Sequence, residues 1–327
     1  MSAPLVTVIL ATYNQEIYVE NALNSILQQT YHNLEIIICD NGSTDKTKAL
    51  IKKIVTLNSD LDIVFLNFPD NQNITSRHNH CINLAKGEFI SILFGDDYYL
   101  PNKIEMQVAA FKDLDNTFGV IYGPTLIKNE QSDTFIDSPG LQKTGYVLNA
   151  LLSEWHSGGM MNCVTPLTKV ECYKKYLNYE DIFTEGEGVF LRIAIDYKFY
   201  YIAEPLSVMT EHENNYGKSV ISNILNHDLV LSRLLLVQSL SKKTIALLQI
   251  HRSTGLFNAG WHCIRTNFDI PSAKHLLILA LKTYPFILFR YKVIFAIILM
   301  VLPARILMIV NKLLNSIFKT TPFSIVD

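Results

Sequence analysis

Phe89, Ile90, Ile92, Leu93 and Phe94 make an apolar run that ends, after Gly95, in two adjacent carboxylates, Asp96 and Asp97. Two negative charges at the mouth of a buried element are costly unless a cation or hydrogen-bond donors compensate them. A divalent cation, Mn2+ or Mg2+, held by Asp96 would do so if phosphate oxygens and water supplied its other ligands. Polar residues also close two neighbouring apolar runs: Thr12, Tyr13 and Asn14 follow "LVTVILA", and Asp40 follows "LEIIIC". Tyr13 offers a flat face on which a base can stack, and Asp40 can accept from a base imino group. Neither GxxxxGK[ST] nor GxGxxG occurs, which excludes the P-loop and the dinucleotide fingerprint. A diphosphate bound here would therefore need its charge neutralised by the cation.

The elements that must position these residues alternate. "LVTVILATYN", "LEIIICD", "DIVFLNF" and "EFISILF" read as strands, and "QEIYVENALNSILQQ", "KALIKKIVTL" and "SRHNHCINLAKG" as helices between them, the second starting near Ser43. This rhythm predicts βαβ units and an α/β, Rossmann-like, mostly parallel sheet with ligands beyond the carboxyl ends of the strands. Continuous rather than alternating apolar strands agree, because helices cover both faces of such a sheet. Further on, "FGVIYGPTLI" and "FYYIAEPLSVM" read as strands and "GEGVFLRIAI" as a helix. Past about Asn215 only helices are expected, near Ser219–Gln238, near Lys243–Gly255 and in the tail. The expected division is a catalytic domain over 1–215, with a nucleotide-binding half to about 106, and a helical region over 216–327.

Composition narrows the class. At 327 residues the chain can bury a full core. A net charge of −2 and a pI near 6.5 leave no global basic field, so no nucleic-acid partner is expected. The five cysteines are widely spaced with no CxxC, which reads as reduced thiols and not as a disulfide framework or zinc site. The N-terminus has no basic segment followed by a long apolar one, so no signal peptide is expected.

"VILATYN", "DNGSTD", "SRHNHCINLAKGEFISILFGDDYYLPNKIE", "FLRIA" and "HENN" together resemble a family 2 glycosyltransferase of the GT-A fold. The resemblance is good from about Val6 to Met106 and patchier to about Asn215. It implies an inverting enzyme that moves a sugar from a nucleotide-diphosphate donor to a glycan or lipid-linked acceptor, as in bacterial surface-polysaccharide synthesis. Thr12, Tyr13 and Asn14 then sit where the family contacts the nucleotide, Asp40 where it reads the base, and Arg77 where an arginine approaches the nucleotide or diphosphate. Asp96 matches the metal-binding Asp, Asp97 the carboxylate facing the donor sugar and acceptor side, and His212 a histidine near the donor that can complete the metal shell or contact phosphate. Two departures stand out. Phe94 replaces the first Asp of the DxD motif, and "TEGEGVFLRIA" keeps Glu185 but has Gly186 and Gly188 in place of two Asp residues. An inverting transfer needs a carboxylate near the acceptor hydroxyl. Glu185 and Glu187 are the candidates, with Glu187 preferred because its flanking glycines free it to move, and the plain alternative is that both complement a helix dipole. Trp155, His156, Gly158 and Gly159 are candidates for an acceptor pocket. The alternative functions are a non-catalytic nucleotide-sugar-binding relative and a sugar nucleotidyltransferase.

Between Ile270 and Val326 there is no acidic residue, while Lys and Arg punctuate long aliphatic stretches. The longest charge-free run, Val293 to Ala304, is short of the roughly 20 residues that span a bilayer. These features predict basic, apolar helices lying peripherally on the cytoplasmic membrane surface, broken at Pro285 and Pro303.

Overall fold

The computed structural model describes residues 3–213, 215, 219–267 and 269–318. Lys319 and the rest of the predicted tail lie outside the described residues. The chain divides into two compact units: Met1–Leu151 with Gly159–Asn215, and Leu152–Gly158 with Tyr216–Asp327. The seven-residue excursion over 152–158 thus belongs with the helical unit.

In the first unit, strands β1 (Val6–Thr12) and β2 (Leu34–Asp40) are β-branched runs buried along almost their whole length. Helix α1 (Val19–Leu27) buries Val19, Ala22, Leu23 and Ile26, the spacing of one helical face. Helices α2 (Thr47–Leu57) and α3 (Ile74–Leu84) flank β3 (Ile63–Asn67), and β4 (Phe89–Phe94) carries the apolar run that precedes the paired aspartates. After β5 (Tyr98–Tyr99) and α4 (Lys103–Lys112), each of the two longer runs read as strands resolves into a pair. "FGVIYGPTLI" is β6 (Phe118–Tyr122) and β7 (Thr125–Asn129), parted at Pro124. β8 (Thr134–Ser138), α5 (Leu148–Glu154), β9 (Leu167–Lys169), α6 (Val170–Lys175) and α7 (Gly188–Ile193) follow. "FYYIAEPLSVM" is β10 (Lys198–Tyr201) and β11 (Ser207–Glu211), parted at Pro205. Proline has no N–H for the ladder, so each run switches sheets there.

The main sheet has the order β10-β6-β9-β4-β1-β2-β3, and every neighbour pair is parallel except those made by β9. A second sheet runs β5-β11-β7-β8. In the main sheet Thr12 stands opposite Asp40 and Ala11 opposite Phe94, so three polar strand ends are brought to one edge.

The second unit is helical: α8 (Val220–Leu234), α9 (Lys242–His262), α10 (Ile270–Thr283), α11 (Tyr291–Val301) and α12 (Ala304–Phe318). Ser241 accepts from the Thr244 N–H to start α9, and Asp269 accepts from the Ser272 N–H to start α10. The expected stop at Gly255 is overrun by seven residues. Gly255 lies inside the helix, where a side chain would meet only Ile224 and His156 at ordinary contact distance, so its cost is the modest one of a mid-helix glycine. The buried core of this unit includes Leu256, Phe257, Leu276, Val293, Ala296 and Leu299.

Candidate active site

Beyond the ends of β1 and β2 two loops are laced together. Thr12 Oγ1 donates to Asp40 Oδ1 (3.2 Å), the Ser43 N–H donates to Asp40 Oδ2 (3.1 Å), and the Ser43 hydroxyl donates to Oδ1. Lys48 Nζ stands 3.8 Å from the same carboxylate. Asp40 is 0% exposed. Its oxygens are thus engaged within the protein, and in this arrangement it fastens the two strand ends instead of presenting an open face to a base. Ser43 is a strut of this loop and not a helix start; α2 begins at Thr47, whose N–H is taken by Asp45 Oδ1 (3.0 Å). Asn14 adopts φ 51°, a left-handed conformation that a side-chain-bearing residue holds only when its surroundings impose it. Here its N–H donates to Ser43 Oγ (2.9 Å) and its Oδ1 accepts from the Thr44 N–H (2.8 Å). Tyr13, between them, is exposed.

Arg77 lies near the ends of β2 and β3. Its Nη2 is 3.2 Å from Asp70 Oδ1, its Nε donates to Asn41 Oδ1 (3.2 Å), and its guanidinium sits 3.7 Å from the Phe68 ring centroid. The cation is therefore pre-oriented at the rim.

The paired aspartates occupy the turn between β4 and β5. Asp96 Oδ2 lies 3.2 Å from His212 Nε2, which follows β11, across 116 residues of sequence. Tyr18 stacks on the His212 ring with centroids 4.7 Å apart, and its hydroxyl donates to Glu130 Oε1 (2.8 Å). Burial and that bond to Glu130 push the Tyr18 phenol up to about 12, so it stays a neutral donor. Asp97 is buried and accepts from the Thr210 N–H (2.9 Å). Burial first, and the Asp96 charge second, hold its carboxyl well above the usual range. Asn214 of "HENN" lies outside the described residues.

The two glutamates have different surroundings. Glu185 receives Arg192 Nε at 2.7 Å and Nη2 at 2.9 Å, and the Tyr179 N–H at 2.9 Å. Arg192 also donates to the Leu177 carbonyl (2.7 Å) and lies 4.0 Å from the Tyr179 ring centroid. Glu187 immediately precedes α7, after Gly186 at φ 52°, where the turn needs a left-handed residue. The expectation that two glycines free this side chain is not met. Gly186 makes a turn, Gly188 is buried in α7, and the Cys163 thiol hydrogen-bonds the Glu187 carboxyl. Burial raises that carboxyl. Both Glu187 and Asp97 push the Cys163 thiol further up, after burial itself, so the glutamate and the paired aspartates share one electrostatic neighbourhood.

Residues 7–148 match the Glycosyl transferase family 2 profile. This stretch is a family 2 glycosyltransferase domain. An uncharacterized glycosyltransferase of Rickettsia typhi is 36% identical over 138 residues, covering 42% of each chain. The Escherichia coli UDP-Glc:alpha-D-GlcNAc-diphosphoundecaprenol beta-1,3-glucosyltransferase WfgD is 33% identical over 128 residues, 39% of this chain and 48% of its own. The chain thus spans less than half the length of these relatives. Among solved structures, Staphylococcus aureus TarS 1–349 in complex with UDP-GlcNAc superposes with a TM-score of 0.63 at 18% identity, over 86% of this chain and 82% of that one. The mannosyltransferase PcManGT from Pyrobaculum calidifontis, in complex with GDP-Man and Mn2+, does so with a TM-score of 0.59 at 16% identity, over 98% and 89%. These likenesses establish the GT-A fold.

In the first unit the acidic residues fit a divalent cation. Asp96 and His212 already converge, and Asp97 beside them is a dehydrated carboxyl whose burial a cation would offset. Among the described residues no three His, Cys, Asp or Glu side chains form a cage, so further ligands would come from the substrate. Tyr18, Glu130, Thr210 and Cys163 escaped the sequence reading. Tyr18 had one usable signal, its position a single turn after the Thr12-Tyr13-Asn14 end. Glu130 and Thr210 had none, because they arrive from the second sheet. Trp155 and His156 fall in the helical unit, where Trp155 stacks on His227 (4.6 Å) and His156 on His251 (4.4 Å).

Proposed function

We propose that the chain is an inverting glycosyltransferase that moves a sugar from a nucleotide-diphosphate donor to a hydroxyl of a glycan or lipid-linked acceptor, in cell-surface polysaccharide synthesis. The observation that carries this reading is the convergence of Asp96, from the end of β4, with His212, from the end of β11, at the strand edge that also presents Thr12, Tyr13 and Asn14. The nucleotide lies against those three residues, with Tyr13 stacking on the base and Arg77 facing phosphate. Asp40 acts from behind, by holding Thr12 and Ser43 in place. Asp96 and His212 hold a divalent cation, which when bound neutralises charge on the leaving diphosphate. Asp97, whose carboxyl is held well above the usual range by burial and by the Asp96 charge, faces the donor sugar.

Glu187 serves as base. It takes the proton of the acceptor hydroxyl as that oxygen bonds to the anomeric carbon. The bond from that carbon to the diphosphate oxygen breaks, and the nucleoside diphosphate leaves with the electron pair. A raised carboxyl suits this task better than an ordinary one, because a base of higher pKa binds the proton more firmly. Glu185 holds Arg192 and does not act on substrate. WfgD's lipid-linked acceptor supports a comparable one here, and with it a peripheral position at the cytoplasmic membrane surface.

The test is release of nucleoside diphosphate from a panel of nucleotide sugars with Mn2+ or Mg2+ present. Metal-stimulated release from at least one donor is expected. Donor binding without turnover would favour a non-catalytic binding protein, consistent with Phe94 at the first DxD position. Release of pyrophosphate would mean a nucleotidyltransferase.

A further inference from the structure

Helix α11 is apolar on every side except at Lys292. Val293, Ala296 and Leu299 face the core of the helical unit. On the opposite side Tyr291, Ile294, Phe295, Ile298 and Val301 form an exposed stripe at helical spacing, with Tyr291 73% exposed. A helix apolar all round belongs in a protein core or in lipid, yet half of this one faces out. The 3-10 turn before it, Pro285–Phe289, adds Phe286 and Phe289, the latter 80% exposed. Helix α12 has the same division: Leu307 and Asn311 are buried, and Ile306 and Ile309 are exposed together with Arg305 and Lys312. Exposed apolar side chains in this number, on successive elements, mark an interaction site.

We propose that the Pro285–Phe289 turn, α11 and α12 form a docking face that seats the protein on an anionic lipid surface. This specifies the membrane-surface part of the reading above and does not depend on its chemistry. Three observations select lipid over other occupants. First, every charge between Ile270 and Val326 is positive although the whole chain carries −2, so the face complements an anionic headgroup layer. A second copy seated on the same face by two-fold symmetry would bring its own Arg305 and Lys312 toward these, like charge against like. Second, the exposed aromatics Phe286, Phe289 and Tyr291 cluster at one end of α11, and rings of this kind favour the bilayer interface. Third, among the described residues no helix is long and apolar enough to cross a membrane. The 11 residues of α11 extend about 16 Å, against a hydrocarbon core of about 30 Å. The helices lie in the headgroup boundary, with Arg305 and Lys312 reaching up to phosphate from stems laid along the apolar surface.

The test is co-sedimentation of the full chain with vesicles of phosphatidylglycerol and phosphatidylcholine, and with vesicles of phosphatidylcholine alone. Binding to the anionic vesicles should be strong and should fall as salt is raised. The variant R305Q/K312Q should lose about 25-fold in partitioning, about fivefold for each cation removed. F289S/Y291S should lose about tenfold or more on the same vesicles through lost apolar burial. Equal binding to both vesicle types, or anionic binding untouched by either double variant, would overturn the proposal. So would a dimer in solution that F289S/Y291S dissociates, which would assign the face to a second copy. Nucleoside diphosphate release without vesicles, measured on the same variants, separates the two ideas. Intact turnover with no docking defeats only the docking face, and vesicle binding by a protein that turns over no donor defeats only the enzymatic reading.

Discussion

Glu185→Gln and Glu187→Gln remove chemically identical charges two residues apart and should have opposite consequences. Glu185 is bidentate to Arg192 at 2.7 and 2.9 Å, with side-chain exposures of 0% and 7% for the two partners. Neutralising it leaves a buried guanidinium with only neutral acceptors, and breaking such a pair costs about 3–5 kcal/mol. For a unit of this size that corresponds to a fall in Tm of roughly 10 °C. Turnover per folded molecule should stay within a few-fold of wild type, since Glu185 faces Arg192 and the Tyr179 N–H. Glu187→Gln should lose roughly 100-fold or more in kcat, the usual size of a general-base contribution.

Its Tm at neutral pH should hold or rise. Burial raises the folded-state carboxyl of Glu187 above 4.5, so the folded state binds more protons than the unfolded one. The cost of ionising Glu187 is absent below the ordinary value and fully present above the raised one, and glutamine never incurs it. For the same reason wild-type turnover should fall on acidification with a midpoint above 4.5. Differential scanning calorimetry and nucleoside diphosphate release, on both variants, give the two readouts. Wild-type turnover in Glu187→Gln would refute its role as base. A large kcat loss in Glu185→Gln with Tm unchanged would transfer the role to Glu185.

Asp96→Ala should abolish the extra thermal stabilisation that Mn2+ gives in the presence of a bound nucleotide sugar, about 3 kcal/mol at a hundredfold excess over Kd, and an undiminished metal-dependent shift would remove Asp96 from the metal site. Gly42→Ala places a methyl 2.3 Å from the Asp70 backbone carbon at φ 83°, so a loss of about 2–3 kcal/mol is expected by calorimetry, together with weakened donor binding as the Asp40–Ser43 loop shifts. In the helical unit burial holds His156, His227 and His251 below 6.5, His227 to about 3, near the Asp228–Arg252 pair and Arg290. Their neutral forms stabilise the unit fully above 6.5 and lose that contribution as pH falls. For His227 the loss at about pH 5 should be on the order of 2 kcal/mol, and a His227→Asn variant whose Tm falls just as steeply between neutral and mildly acid pH would count against it.

The order of strands and helices through β4, and the edge at which chemistry collects, could be read from residues alone. Continuous apolar runs such as Val6–Ala11 and Leu34–Cys39 have to be buried on both faces, and polar residues that end such runs have to gather where parallel strands end. Asp96 stood out for the same reason, as a charge that an apolar strand does not explain. Register and crossover were beyond reach, because they depend on pairings distant in sequence and not on local periodicity. Pro124 and Pro205 sit inside runs that look single, and only the pairing of β11 with β7 and β5 reveals that the chain changes sheets there. That change carries Thr210 to Asp97 and His212 to Asp96, across 113 and 116 residues, and lets Tyr18 meet both His212 and Glu130. Likewise "TEGEGVFLRIA" holds both glutamates and Arg192, but its spacing cannot say which carboxylate the arginine claims. Composition alone singled out a basic, apolar tail. Which apolar residues turn inward was settled by packing, since Val293, Ala296 and Leu299 fill the core and leave the equally apolar opposite face of α11 exposed.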